Sequence, residues 1–135
     1  MVAEINSSLA RSSRLVLAAL IIGTSVSCAS SSSGSLRVAR NAETQQNYDL
    51  AVAEYTKLLR DNPNSRDARQ GLERAKLRAS QDHFSTARRM AATGKLEEAL
   101  VEYRLAAELN PANADIEHEM QETRTQLRAK VAIRE

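Results

Sequence analysis

Read for its apolar positions alone, the chain falls into two unlike parts. Leu15 to Gly23, LVLAALIIG, is a continuous apolar run with Arg11 and Arg14 just before it. From Leu36 onward, apolar residues return every three or four positions, the spacing that places them on one face of a helix. That second pattern repeats. NYDLAVAEYTKLLRDNPNS (Asn47 to Ser65) aligns with KLEEALVEYRLAAELNPAN (Lys95 to Asn113) at an offset of 48. Tyr48 then pairs with Leu96, Ala51 with Ala99, Tyr55 with Tyr103 and Pro63 with Pro111. The match continues beyond the prolines: Ala68 with Ile116, Leu72 with Met120, Ala79 with Leu127.

The punctuation between apolar stretches predicts the elements. Thr93-Gly94 ends one helix, and Glu97 and Glu98 open the next at its positive end. Gln46-Asn47 does the same in the first copy. No Pro interrupts Arg66 to Ala92, and its one Gly, Gly71, lies near the start, so this stretch is expected to be one long helix. Its stripe Ala68, Leu72, Ala75, Ala79, Ala87 and Met90 is expected to pack against hairpins on both sides. A final helix, about Ala114 to Ile133, carries Ile116, Met120, Leu127 and Val131 on one face, as a capping helix should.

Each copy reads Ala-x3-Tyr, with the Pro of an Asn-Pro pair eight residues after the Tyr. Two antiparallel helices cross closely only where a small side chain sits at the contact. The aromatic fills the gap to the next helix, and Pro stops the chain before the turn. This resembles the second half of a tetratricopeptide repeat. In the first halves Ala39 and Ala87 take the small-residue slot and Val38 the Leu slot. Thr86 stands where Leu is usual, Ala42 and Met90 where an aromatic is, and Leu58 where Ala106 supplies a small residue in the second copy.

The resemblance covers Leu36 to Asn113 and implies an all-α fold: a TPR-like solenoid of helical hairpins with one long central helix and a C-terminal cap. The repeat domain would span 36–135, with copies at about 36–65 and 80–113 and the cap at 114–133. Its signature residues are Ala51, Tyr55, Pro63, Ala87, Gly94, Ala99, Tyr103, Ala106 and Pro111. The offset exceeds the usual repeat of about 34 residues by about 14, close to four helical turns, so the apolar face of the long helix stays nearly in register.

The N-terminal part has another logic. A basic end, a short apolar core and the small residues TSVS before Cys28 form the tripartite order of a secretory signal over 1–27. The apolar run is well short of the roughly 20 residues a spanning helix needs. A Cys directly after small residues resembles the bacterial lipobox, although Ser25 occupies the slot where Leu is usual. The resemblance implies acylation of Cys28, with the serines of 28–35 as a flexible tether. Ala29 after the Cys, in place of Asp, implies sorting to the outer membrane, with the domain on its periplasmic face. Ordinary cleavage after Ser27, leaving Cys28 a free thiol, and an uncut anchor are the alternative readings.

Composition narrows the function. Aromatics make up only 3% of the 135 residues, with four Gly, two Pro and no Trp, which favours helices over sheets. The formal net charge is +2. Cleavage before Cys28 removes Arg11, Arg14 and Glu4 and leaves +1, no electrostatic case for nucleic acid. The thin, Ala-rich apolar inventory predicts a marginal monomer. A single cysteine cannot close an internal disulfide.

His83 and His118 are 35 positions apart without a Cys or His cluster, so they are expected on a helix surface or groove and not as metal ligands. Glu117, Glu119 and Glu122 face several directions at helical spacing and read as a solvated face. Neither a phosphate-binding Gly loop nor a Ser-His-Asp order occurs. No catalysis, cofactor or small-molecule substrate is expected. Phe84 lies off the main stripe, with Leu77 seven residues before it and Arg88 after it. One reading makes Leu77, Phe84 and Arg88 a groove for a partner helix or extended segment. The other packs Phe84 beneath the first helix or the cap.

The order of signal, Cys, tether, DLAVAEYTKLLRDNP, LERAKLRASQDHFSTARRMAATGKLEEALVEYRLAAELNP and RAKVAIRE is similar to the N-terminal segment of certain bacterial secretin precursors. These are outer-membrane channel subunits of type II secretion and pilus systems. The resemblance implies protein partners among envelope secretion or pilus components, with this chain the N-terminal part of a longer protein. A freestanding lipoprotein resembling pilotins or outer-membrane assembly lipoproteins is the alternative, and a soluble secreted repeat protein or an enzyme accessory subunit stands behind it.

Overall fold

The computed structural model describes residues 29–133. Cys28 and the expected signal peptide lie outside them. Five helices follow one another: α1 (Ala29–Thr44), α2 (Tyr48–Asp61), α3 (Arg66–Ala92), α4 (Leu96–Leu109) and α5 (Ala114–Ala132), with no strand among the described residues. The fold is all-α. The unit considered below begins at Ser33.

Local chemistry explains the helix ends. Asn47, Ser65 and Asn113 each accept a backbone N–H of the following first turn, from Leu50, Ala68 and Asp115 respectively. Lys95 makes no such bond, and Glu97 and Glu98 meet the positive end of α4 instead. The turns after α1 and α3 share one geometry. Gln46 and Gly94 both take positive φ, 59° and 76°. Beyond them the Asn47 amide donates to the Ala42 carbonyl at 2.9 Å and the Lys95 amide to that of Met90 at 3.0 Å, the Schellman arrangement. After α2 and α4, Asn62 and Asn110 leave the helical region, with ψ of 85° and 76°, the bias a following Pro imposes, and donate to the carbonyls of Leu58 and Ala106 respectively.

α3 has the bounds expected from sequence, and α5 ends one residue before the expected Ile133. The difference lies at the start. α1 begins at Ala29, so its first turns run through the stretch read as a Ser-rich tether, seven residues ahead of the boundary expected at Leu36. Once Leu36, Ala39 and Ala42 are packed, each further residue adds a hydrogen bond without a new nucleus, and serines lower helix propensity only modestly.

Two apolar clusters form the interior. The first joins Ala39, Ala42, Ala51, Tyr55, Leu58, Ala68 and Ala75, with Leu36, Val52, Leu59 and Leu72 against it. The second joins Ala87, Ala99, Tyr103, Ala106, Ile116 and Met120, flanked by Phe84, Met90, Ala91, Leu100 and Ala107. Ala39 and Ala87, Ala51 and Ala99, Tyr55 and Tyr103, Leu58 and Ala106, and Ala68 and Ile116 are the same positions 48 residues apart. α3 joins the clusters, its first half against α2 and its second against α4, while α5 packs on α4. Between them lie buried Ala79 and Ser80, whose hydroxyl donates to the Ala106 carbonyl at 2.8 Å. Lys130 Nζ reaches back from α5 to the Gly94 carbonyl at 3.0 Å, tying the last helix to the α3–α4 turn.

Candidate functional site

The paired tyrosines are buried rings whose hydroxyls must find partners. Each finds a carboxylate, but from opposite directions. Tyr55 Oη donates to Glu43 Oε2 on α1 at 2.8 Å, and Arg74 of α3 approaches the same oxygen at 3.4 Å. Tyr103 Oη donates to Glu119 Oε2 on α5 at 3.0 Å, where Arg88 Nε also lies at 3.2 Å. At an offset of 48, Ala91 stands where Glu43 would be and Gly71 where Glu119 would be. Burial first, then the adjacent carboxylate, raise both phenols above their usual 10.0, Tyr103 to about 12.

Around Tyr103 the second cluster opens to the surface. The Phe84 ring meets the Tyr103 ring with centroids 5.9 Å apart and planes inclined by 58°. The Arg88 guanidinium carbon sits 5.7 Å from the Phe84 centroid. Arg88 is thus shared between an aromatic face and Glu119. A cavity of about 220 Å³ lies beside them, lined by Arg88, Ala91, Tyr103, Glu119, Glu122 and Gln126, among others.

Of the residues read as a partner groove, Phe84 and Arg88 are therefore brought into contact. Phe84 is half-buried against Tyr103 of α4, and Leu77 stands two turns earlier on α3, 50% exposed. Of the repeat signature, Ala51, Tyr55, Ala87, Ala99, Tyr103 and Ala106 are buried, whereas Pro63 and Pro111 are exposed in the turns and Gly94 holds its left-handed bend.

Three residues play parts that periodicity did not show. Glu119, read with Glu117 and Glu122 as a solvated face, is half-buried and doubly engaged, while the other two are exposed. Glu43 fixes the first tyrosine. His83, read as a surface or groove residue, lies between two carboxylates: Nδ1 is 2.7 Å from Glu102 Oε2 of α4, and Nε2 is 3.2 Å from Asp49 Oδ1 of α2. Helical spacing cannot reveal partners that far away in the chain. The one usable signal is its position, four residues after Ala79 and four before Ala87, in line with the apolar stripe of α3. His118 is exposed on α5.

Among the described residues there is no group of three or more His, Cys, Asp or Glu placed to hold a metal ion, and no helix long and apolar enough to cross a membrane. Comparison of the chain with protein-family models and with curated proteins gave no match.

Proposed function

We propose that this chain is a non-catalytic tetratricopeptide-like scaffold, lipid-anchored through Cys28 on the periplasmic face of the outer membrane, that binds protein partners during assembly of a secretion or pilus machine. The observation that carries the binding role is the face of α3 on which Leu77 stands half-exposed beside the Phe84–Arg88 stack. An apolar side chain two turns from an aromatic-cation pair offers the anchors an amphipathic partner helix uses. The repeat reading is supported by the five buried positions that the two clusters share at the 48-residue offset. The anchor rests on Cys28 following Ser25-Val26-Ser27, and the choice of machine on the resemblance of the chain to secretin precursors.

The test has two arms. The chain with its own N-terminus is expressed in a diderm bacterium with labelled palmitate, beside Cys28→Ser. Label on the native chain and none on the variant is expected, and an unlabelled native chain removes the anchor. In the second arm a photo-crosslinker at position 77 is expected to capture a secretin-type channel subunit. Phe84→Ala should weaken that capture while the variant stays folded. A folded Phe84→Ala variant with undiminished capture rules out the groove.

A further inference from the structure

His83 stands where the two hairpins meet. The apolar clusters share no residue, and the junction between them is made of small side chains, Ala79 and Ser80. Across it the ring of His83, its side chain 17% exposed, reaches Asp49 in the first turn of α2 through Nε2 and Glu102 of α4 through Nδ1. An ionised carboxylate only accepts hydrogen bonds. To satisfy both, the ring must donate from both nitrogens and carry a positive charge. A neutral ring has one N–H and turns its other lone pair toward an acid.

The surroundings favour the charged form. Asp82, on the same helix, lines with His83, Asp49, Glu102 and the Gln46–Tyr48 turn a cavity of about 320 Å³. The charged groups on the ring are thus Asp49 from α2 and Glu102 from α4, both acidic, and Asp82 of α3 lines the same cavity.

We propose that His83 is a proton-controlled latch: its imidazolium ties α2 of the first hairpin to α4 of the second, and loss of one proton frees Asp49 and opens the cavity behind it. The proton that remains stays on Nδ1, because Glu102 is the closer acceptor and the more buried, 23% exposed against 67% for Asp49. The bare Nε2 then faces Asp49, and the first turn of α2 loses its tie. Burial alone would lower the pKa of the ring, but the hydrogen bonds and charges of Glu102 and Asp49 outweigh it and hold the value above 6.5. The latch is therefore closed on the acid side of this raised value and opens as pH rises through it. This inference does not depend on the scaffold reading or on where the protein resides.

The experiment uses the full chain. Imidazole nitrogens are followed by NMR against pH, together with amide hydrogen exchange corrected for its intrinsic pH dependence. The latch predicts an Nδ1–H tautomer after deprotonation. It also predicts a loss of protection at Leu50 and Ala51 at that midpoint, with α5 amides unchanged. Asp49→Asn should lower the His83 midpoint and remove the step in protection, and His83→Gln should remove the step as well. An identical step in His83→Gln, or no step in the native chain, overturns the proposal. Should His83→Gln fail to fold, Asp49→Asn decides, and an unaltered midpoint and step in that variant overturn it equally.

Discussion

Gln46 holds a left-handed backbone, φ 59°, where its counterpart in the second copy is Gly94 at φ 76°. A side chain there costs about 1–2 kcal/mol against the right-handed well, partly offset by the greater freedom glycine has when unfolded. Gln46→Gly should therefore stabilise the protein by about 1 kcal/mol, read as a higher midpoint in urea. Gly71 is the opposite case. Its Cα lies so close to the Tyr55 ring that a methyl group would overlap the ring carbons. Gly71→Ala, ordinarily a gain in a helix, should cost about 1–3 kcal/mol by overpacking, measured by thermal melting. Both residues were visible in the sequence, but only as punctuation and as an interruption. That glycine makes room for a phenol 16 positions away is a fact of packing, beyond the reach of helical periodicity.

At the scale of elements, α3 and α5 were legible because their signals are local: caps, an unbroken apolar stripe and Asn-Pro stops. The start of α1 was not, because a serine run carries a compositional signal for a linker, and propagation from the packed Leu36–Ala42 turn overrode it. α3 also shows why the long offset is tolerated. Its two halves serve different clusters, and the residues it buries between them, Ala79 and Ser80, are small. Ala79→Leu places three further heavy atoms there and should lower stability by about 1–3 kcal/mol. Chemical denaturation with probes in each hairpin checks this, and the two hairpins are expected to be weakened together.

At the scale of the whole molecule, both clusters rest on a phenol that stays protonated in alkali. Tyr103 ionises near 10.0 when unfolded and at about 12 when folded, so its contribution to stability is complete below pH 10 and is lost as pH rises toward 12. Thermal melts from pH 8 to 12 should fall steeply above pH 10, and less steeply in Tyr103→Phe. The small residues of the repeat around Tyr103 were readable from the sequence, but the contact with Phe84, read as a groove residue or as packed beneath the first helix or the cap, was not, and neither was Glu119, because the two copies differ at that point. Tyr55 takes its acid from the helix before it and Tyr103 from the helix after it. An in-register deletion of 48 residues would bring Glu43 and Glu119 onto one phenol, and an in-register duplication would set a phenol between Ala91 and Gly71 with no acid at all. The gene segment cannot shrink or grow by recombination between its two halves without breaking this pairing. A copy more or a copy fewer would thus leave one phenol with two acids or with none.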